Sequence, residues 1–501
     1  MVERLLPKQQ VAGSNPVSRS VKKISLFCLL LVFFFLFPQS VFAGGNKFGI
    51  HILEPTDLPK AAELVNSNGG DWGFVTIVIR QDDLNFQKWQ EFMDFCREKH
   101  LVPLIRLATQ QEKDFWTAPS PSDSQKWLDF LNSLNWPTKD QYIIIFNEPN
   151  QAKEWGGKIN PEEYAKVLSA FAEKFHQTNP NFKILNAGFD LAAPNSKTTM
   201  EVFHFWQKME KEVPGIFNQI DAWASHSYPN HGFRGIPTDK GKTSVRGYQW
   251  ELATLKKYFN LKKDLPVFIT ETGWVKDNLK FPPAGGQGKI KNLKSKKSQL
   301  ISPEIAATYF KLAFENLWLK DERIVAVTPF VLNYPQPPFA EFSWLDENGN
   351  PYPQYQVIQS LPKSSWWPPQ EEKYTLEEVI IPPFMLSESN FKGKISLKNL
   401  GQSILGESKP FFFKPFTNSS EIFLSPATLS GKLKPTQEGF LEFQIKTVSS
   451  AGEFTLGWEG IGSFQIKVFA PSVIKKVEYS LWEKIILNFR QYLKRLGFLL
   501  K

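Results

Sequence analysis

Hydrophobic and polar positions follow one pattern up to about Leu361 and a different pattern beyond it. In the first part, short apolar and β-branched runs alternate with longer stretches in which apolar residues recur every three or four positions. Such runs predict strands buried on both faces, and such stretches predict amphipathic helices. The predicted strands are Phe48–Ile52, Phe74–Ile79, Val102–Leu107, Tyr142–Phe146, Lys183–Ala187, Ala222–His226, Val267–Thr270 and Val325–Leu332.

The alternation of strands and helices predicts an α/β fold for residues 44–361. Helical patterns such as Pro161–Gln177 and Pro303–Leu319 each begin with proline, which suits the first turn of a helix. Eight strand–helix units predict a (β/α)₈ TIM barrel. A doubly wound open sheet is the alternative, but no glycine-rich phosphate-binding sequence follows the first strand, as such a sheet often has.

The pattern changes after the predicted barrel. Residues 362–373 are rich in proline and lysine and predict a linker. Residues 374–471 contain short alternating runs separated by Gly, Asn, Ser and Pro, which predict an all-β sandwich domain. These runs include Gly393–Leu397, Leu441–Ile445, Glu453–Trp458 and Ser463–Val468. The module resembles the immunoglobulin-like (Ig-like) domains that accompany carbohydrate enzymes, although no cysteine pair supports a strict assignment.

The N-terminal extension, residues 1–43, contains a predicted signal peptide. Lys22 and Lys23 precede a largely apolar run, Ile24–Phe37, and Val41–Ala43 forms an acceptable cleavage site. A cleaved signal is favoured over a retained anchor because the run is short for a membrane span. We therefore expect an exported protein that is extracellular or associated with the cell surface. Residues 1–20 fit neither role, and the true start of translation could lie near Val21.

The C-terminal segment, residues 472–501, predicts a basic amphipathic helix. Its apolar residues fall at helical spacing, and Lys484, Arg490, Lys494 and Arg495 lie off that stripe. Such a helix can contact an anionic membrane surface. The alternative is a terminal helix whose apolar face packs on the sandwich or the barrel.

Charge and cysteine content exclude several classes of function. The net charge of +9 comes from residues 1–43 and 475–501, so residues 44–474 carry no net charge. A neutral body gives no indication of nucleic-acid binding. The two cysteines, Cys28 and Cys96, form neither a disulfide framework nor a metal-type cluster. We expect no cofactor and no metal. The high aromatic content, 14%, fits either a large core or a surface that stacks on sugar rings.

Two glutamates end predicted strands on opposite sides of the barrel. The fourth strand leads into Asn147-Glu148-Pro149, and the seventh leads into Glu271-Thr272-Gly273-Trp274. The C-terminal ends of the strands in a parallel barrel open onto one face, so both carboxyl groups can flank one bond of a substrate. Glycoside hydrolysis needs such a pair. Each motif alone is weak, because Asn-Glu-Pro is common at helix starts, but their joint placement is specific.

With these two motifs the barrel region, Phe48–Leu361, resembles the clan A glycoside hydrolase superfamily. The resemblance implies a retaining enzyme that hydrolyses O-glycosidic bonds of a β-linked oligo- or polysaccharide by double displacement. It implies that Glu148 is the general acid/base and Glu271 the nucleophile. The implied supporting residues are Asn147 on the sugar 2-hydroxyl, His226 and Tyr228 on the catalytic carboxylates, and Arg80, favoured over Arg106, as the group that keeps the nucleophile ionised.

Further candidates lie in the loops at the barrel mouth. Trp155, Trp274 and Trp344 follow the fourth, seventh and eighth strands, and we expect them to bind sugar rings, with core packing as the alternative. His231, Phe233 and Arg234 could shape subsites in the loop after strand six. The basic loop 276–302 is either a lid, a patch for anionic glycans or a solvated insertion.

Two other functions remain compatible with the sequence. One is a non-catalytic cell-surface carbohydrate-binding or adhesion protein on a barrel scaffold, although the intact carboxylate pair disfavours it. The other is a structural envelope protein, suggested by the basic tail and the sandwich. The sequence leaves the sugar, the linkage, endo or exo action and the oligomeric state open.

Overall fold

The computed structural model describes residues 45–276 and 301–470. The predicted signal peptide, the C-terminal helix and nearly all of the basic loop 276–302 lie outside the described residues. Within these two stretches, none of the helices combines the length and the apolar character that crossing a lipid bilayer would require.

Eight parallel strands form the first part of the fold. They begin and end within a few residues of the predicted positions, except that the last one stops well before Leu332. The strands are β1 Gly49–His51, β2 Gly73–Arg80, β3 Leu101–Ala108, β4 Gln141–Ile144, β5 Phe182–Leu185, β6 Trp223–His226, β7 Val267–Glu271 and β8 Ile324–Val327.

The eight strands close into a barrel. Strands β1 to β5 pair in sequence order as one sheet, and β6 to β8 pair as another. Parallel bridges between Leu185 and Ala222 and between Phe48 and Val327 join the two sheets at both sides. The predicted (β/α)₈ barrel is therefore confirmed, and the open sheet is excluded.

Helices surround the strands and turn their apolar stripes inward. The helix α4, Pro161–Thr178, shows how a helix start is fixed by the sequence. The Asn160 side chain accepts a hydrogen bond from the Glu163 N–H, and Pro161 occupies the first turn. The described α-helices are α1 Leu58–Val65, α2 Phe86–Glu98, α3 Asp123–Ser133, α4 Pro161–Thr178, α5 Val202–Glu212, α6 Gly247–Tyr258, α7 Pro303–Ala313 and α8 Pro353–Ser360. A π-helical turn, Phe314–Trp318, continues α7.

The barrel holds two apolar cores. The larger core fills the layer between strands and helices, and the smaller one fills the barrel interior with inward-facing residues of most strands, including Phe74, Leu104, Ile144 and Phe268. Trp366 packs against this interior core from the N-terminal end of the strands. Its indole N–H donates to the Trp72 carbonyl at 2.8 Å, and its ring stacks on Phe74.

Residues 362–373, the predicted linker between the barrel and the β-rich domain, pack along the base of the barrel. Besides the Trp366 contacts, the Lys139 N–H donates to the Pro369 carbonyl at 2.8 Å, and the Gln370 side chain donates to the Pro137 carbonyl at 2.7 Å. Trp366 is partly buried in this packing, whereas Trp367 is more exposed.

The C-terminal part is a β-rich domain of two sheets. The strands are β9 Tyr374–Val379, β10 Phe384–Leu386, β11 Asn390–Asn399, β12 Phe412–Phe413, β13 Pro415–Thr417, β14 Ile422–Leu424, β15 Ala427–Leu429, β16 Glu438–Thr447, β17 Gly452–Trp458 and β18 Gly462–Phe469. One sheet has the order β9-β11-β16-β15-β12 with β14 beside β16, and the other has the order β10-β18-β17-β13. Inward-facing residues of both sheets share one core, where the rings of Phe443 and Trp458 lie 4.6 Å apart. The more specific Ig-like assignment stays a prediction.

A buried arginine joins the two domains. The Arg97 side chain of α2 is 2% exposed and donates across the boundary to the Gln402 carbonyl at 2.6 Å. It also donates to the Asn135 carbonyl and side-chain oxygen at 2.8 Å and to the Trp136 carbonyl at 3.2 Å, and it pairs with Asp94. One guanidinium thus links α2, the loop before β4 and the loop after β11.

Candidate active site

A cavity of about 780 Å³ opens at the C-terminal ends of the barrel strands. Residues that follow most of the strands contribute to its wall. They include both predicted catalytic residues, Glu148 and Glu271, with Asn147, His226 and Tyr228 beside them. With Arg80 at the rim, six of the nine predicted site residues therefore line this cavity.

Glu148 lies just beyond β4, in a turn with unusual backbone angles. Phe146 and Glu148 both have positive φ, at 68° and 31°, which costs free energy and is typical of functional sites. The Glu148 N–H donates to the Gly188 carbonyl at 3.1 Å, so the turn is held by the strand beside it. The result is a carboxyl group directed into the cavity rather than along the strand.

The space beside Glu148 depends on a glycine. A Cβ atom at Gly188 would lie 2.1–2.3 Å from the His226 ring, which is far inside contact distance. Because Gly188 has no side chain, His226 can place Nδ1 at 2.9 Å from Oε1 of Glu148. The other oxygen, Oε2, accepts a 2.7 Å hydrogen bond from the Gln151 amide.

Glu271 is the last residue of β7 and is only 9% exposed. Arg106 Nη1 donates to its Oε1 at 2.7 Å, and the Tyr228 hydroxyl donates to its Oε2 at 3.0 Å. His226 Nδ1 lies 3.8 Å from Oε2, and His51 Nε2 lies 3.9 Å from Oε1. Two donors and a fixed positive charge therefore hold this carboxylate in its charged form.

The surroundings give the two glutamates opposite pKa shifts. Burial raises the pKa of Glu148, and the hydrogen bond and charge of His226 only partly offset this effect. Burial also opposes ionisation of Glu271, but the charges of His226 and Arg106 outweigh it and lower the pKa of Glu271 to about 2. The raised pKa makes Glu148 the member of the pair that suits a general acid, and the lowered pKa makes Glu271 the member that suits an ionised carboxylate.

The prediction that Arg80 keeps the nucleophile ionised is wrong, and Arg106 occupies that position. The Arg80 side chain is 51% exposed and pairs with Asp82 at 2.6 Å. Strand register explains the difference: Val78, not Arg80, is level with Arg106. Arg80 therefore lies two residues nearer the rim, where it lines the cavity but points toward solvent.

Asn147 is fixed from both ends of its amide. Its Oδ1 accepts from Arg106 Nη1 at 2.6 Å, and its Nδ2 donates to Glu154 Oε2 at 3.2 Å. The same Arg106 nitrogen also binds Glu271, so the asparagine lies beside that carboxylate. That position suits a contact with a sugar hydroxyl next to the reacting carbon.

The three tryptophans predicted to bind sugar rings are core residues. Trp155, Trp274 and Trp344 are only 1–2% exposed, and none lines the cavity. Trp155 packs against Tyr164 of α4, whereas Trp274 and Trp344 both pack against Phe310 of α7. Their loops cross the top of the strand–helix layer, so the indoles point into that layer.

Other aromatic residues line the cavity. Trp116, in a hairpin after β3 formed by Gln111–Glu112 and Phe115–Trp116, is half-buried at the wall. Phe233, Phe339 and Phe342 lie on the opposite loops. Of the subsite candidates after β6, only Phe233 lines the cavity, and its ring lies 5.0 Å from that of Tyr228. His231 and Arg234 are exposed.

Several site residues were missed by sequence reasoning. His51 ends β1, and its position at a strand end was the signal that could have identified it. Burial lowers its pKa to about 3, so the ring is neutral near Glu271. Gln151 and Asp190 contact the Glu148 region from loops, where spacing gives no comparable signal.

Glu148, His226 and Glu271 are also the one group among the described residues with metal-ligand spacing. One ligand atom of each lies within 4.8 Å of the others. However, the Arg106 guanidinium already occupies Oε1 of Glu271 and would repel a cation there. The donor set therefore fits a carboxylate pair better than a metal centre.

Comparison with known proteins returns similarities in structure only. No protein-family model matches the chain, and no curated protein matches it. A GH53 catalytic domain from Ignisphaera aggregans is 14% identical, with a TM-score of 0.41, over 64% of this chain and 97% of that one. An endo-β-1,4-glucanase from Xanthomonas axonopodis pv. citri is 12% identical, with a TM-score of 0.41, over 63% and 98%. A GH128 endo-β-1,3-glucanase from Sorangium cellulosum is 12% identical, with a TM-score of 0.37, over 63% and 97%.

Proposed function

We propose that this chain is a retaining glycoside hydrolase in which Glu148 is the general acid/base and Glu271 the nucleophile. The observation that carries the proposal is the pair of carboxyl groups around His226, whose Nδ1 lies 2.9 Å from Oε1 of Glu148 and 3.8 Å from Oε2 of Glu271. The pKa shifts of the two groups, raised for Glu148 and lowered for Glu271, support it. The wider cavity, with aromatic residues in its walls, suits a carbohydrate substrate.

The first step is attack on the sugar. Glu271 forms a bond to the anomeric carbon while the bond to the leaving oxygen breaks. Glu148 transfers its proton to that oxygen, so the leaving group departs as an alcohol. Arg106 and Tyr228 orient the Glu271 carboxylate, and Asn147 is placed to bind a hydroxyl of the same sugar.

The second step releases the sugar. Glu148, now ionised, takes a proton from water, and the resulting nucleophile attacks the anomeric carbon and displaces Glu271. Both glutamates return to their starting protonation states. The balance needs water alone as co-reactant.

The separation of the carboxyl groups supports a retaining rather than an inverting mechanism. Retaining enzymes hold the two groups about 5–5.5 Å apart, whereas inverting enzymes leave about 6.5–9.5 Å for a water molecule. Here an oxygen of Glu148 and an oxygen of Glu271 lie within 4.8 Å of each other. The preference for β-linked substrates rests on the resemblance of the two motifs to clan A enzymes.

The direct test is a screen of aryl β-glycosides and polysaccharides with the wild type and Glu271→Ala side by side. We expect turnover by the wild type and a loss of several orders of magnitude in the variant, because the nucleophile is gone. Near-wild-type activity in folded Glu271→Ala would overturn the assignment. Binding to insoluble glycan without release of reducing ends would favour the non-catalytic carbohydrate-binding alternative.

We also propose that the protein is exported, on the strength of the signal-like residues 21–43. N-terminal sequencing of protein from the medium or the cell surface tests this proposal. A mature chain that begins near Gly44 supports it, and an intracellular chain that retains residues 21–43 contradicts it.

A further inference from the structure

We propose that Gln151 and Asp190 are positioning residues for the general acid. Gln151 fixes the direction of the Glu148 carboxyl group, and the charge of Asp190 keeps that carboxyl protonated until it delivers its proton. This inference rests on the proposed function and adds to it the groups that decide when Glu148 acts as an acid.

One amide nitrogen connects the three side chains. Gln151 Nε2 donates to Oε2 of Glu148 at 2.7 Å and to Oδ2 of Asp190 at 3.1 Å. Because both oxygens bind the same nitrogen, they lie within about 6 Å of each other. At this distance two negative charges repel strongly, so ionisation of one carboxyl group disfavours ionisation of the other.

Asp190 is fixed by groups other than Gln151. Its Oδ1 accepts from the Ala192 N–H at 2.9 Å, and its own N–H donates to Asn150 Oδ1 at 3.2 Å. Asn150 is fully buried and also donates to the Asp190 carbonyl at 2.9 Å. The loop after β5 therefore holds Asp190 at a set position in the cavity wall.

Three charged or titratable groups act on Glu148, and each comes from a different strand or loop. His226 of β6 favours its ionised form, whereas Asp190 after β5 and Glu271 of β7 oppose it. Burial is the largest effect and also opposes ionisation. Once Glu271 is bonded to the sugar, its charge is lost and Glu148 ionises more easily, as the second step requires. Asp190 is then the remaining nearby carboxylate, and its negative charge favours the return of Glu148 to the protonated form when Glu148 takes a proton from water.

The test is a pH titration of Glu148 itself. Carbon-13 NMR of protein labelled at the glutamate carboxyl carbon gives its titration midpoint, and the signal is assigned by its absence in Glu148→Gln. We expect Asp190→Asn to lower that midpoint by about one pH unit. Asp190→Glu, which keeps the charge, should stay closer to the wild-type value. Asp83→Asn is the matched control, because Asp83 lines the same cavity but pairs with Lys88.

Kinetics give a second readout. In Asp190→Asn, the alkaline limb of the pH profile of kcat/KM for a phenyl β-glycoside should shift to lower pH together with the Glu148 titration midpoint. It should move much less for the 2,4-dinitrophenyl glycoside of the same sugar, whose leaving group needs no proton. Gln151→Ala should lower kcat on the phenyl glycoside about tenfold or more, with little change in KM, because the carboxyl loses its fixed direction.

The outcomes separate this inference from the proposed function. If the Glu148 midpoint is equal in wild type and Asp190→Asn, Asp190 does not act on the acid, even where Glu148 and Glu271 prove catalytic. If Asp83→Asn moves the midpoint as far, the effect is general cavity charge and the inference is overturned. The NMR midpoint can be measured without a substrate, so an inactive protein would contradict the function and leave this test decisive.

Discussion

At the residue scale, a few neighbours give two identical side chains different chemistry. Glu148 and Glu271 are both buried, and burial alone would keep both protonated. Arg106 and Tyr228 contact Glu271 but not Glu148, so only Glu271 gains a fixed charge and a second donor. In the proposed mechanism, the division into acid and nucleophile thus follows from which strand end carries the arginine.

The acid/base assignment predicts a specific rescue. Glu148→Ala should spare the first step on substrates with good leaving groups and slow hydrolysis of the glycosyl-enzyme about 10²–10⁴-fold. Azide needs no general base, so it should restore turnover and give a β-glycosyl azide. Product analysis by NMR is the measurement. An α-azide, or no response to azide, would exclude the retaining mechanism.

A buried carboxyl group outside the cavity predicts a pH-dependent stability. Burial raises the pKa of Glu251 in α6 to about 7, and its Oε2 accepts a hydrogen bond from the Ser225 hydroxyl. Between about pH 4.5 and 7, the folded protein keeps this proton and the unfolded chain loses it, so stability falls as the pH rises. Glu251→Gln should remove that fall, about 3 kcal/mol for a shift of this size.

Denaturant unfolding of wild type and Glu251→Gln at pH 4.5 and pH 8 measures this difference. The variant should gain stability relative to the wild type only at the higher pH. A difference of the same size at both pH values would show that Glu251 does not titrate on unfolding.

Some site residues could be predicted from the sequence, and others could not. The paired glutamates could be placed because strand ends of a parallel barrel share one face. Arg80 was wrongly favoured over Arg106, because both end strands and only the register sets their depth. The three tryptophans were misassigned because loop direction, which sequence spacing does not give, sends their rings into the strand–helix layer.

At the scale of elements, strand existence was predictable and the packing of connections was not. Buried β-branched runs identified all eight strands because apolar runs of that length have few alternatives in an α/β fold. The segment 362–373 lacks any periodic pattern, so its composition predicted a linker but not the surface on which it packs. Trp366 packs on the apolar core at the base of the barrel.

This packing predicts that Trp366 stabilises the barrel. Trp366→Ala should remove the ring that covers Phe74 and leave the Trp72 carbonyl without its donor, at a cost of about 3 kcal/mol. Thermal denaturation followed by circular dichroism measures the loss. Trp367→Ala is the neighbouring control and should cost less, since that side chain is more exposed. Equal effects of the two variants would contradict a specific role for Trp366.

At the scale of the whole molecule, the barrel and the sandwich share buried polar contacts. Besides Arg97, the buried Gln402 side chain donates to the Thr138 carbonyl at 3.2 Å, and on the surface Lys434 pairs with Glu98 at 2.5 Å. The buried Arg97 guanidinium is tolerated only because its N–H donors have hydrogen-bond acceptors. The two domains are therefore expected to unfold together.

Replacing Arg97 tests this coupling. Arg97→Met should cost about 3–5 kcal/mol, because several buried carbonyls and Asp94 lose their donor. We expect calorimetry to show one transition for the wild type and two for the variant. Arg97→Lys should rescue little, since an ammonium group cannot reach the same set of acceptors. One unchanged transition in Arg97→Met would refute the coupling.

The position of Trp366 also limits how such a protein can be recombined. Multidomain enzymes are often treated as independent domains that can be exchanged at the linkers between them. Here the connector closes the base of the barrel, so the barrel is complete only when residues 362–373 travel with it. A chimeric protein in which a different C-terminal domain is joined directly after residue 361 would leave the base of the barrel uncovered. A chimera joined after Lys373 would keep the base covered.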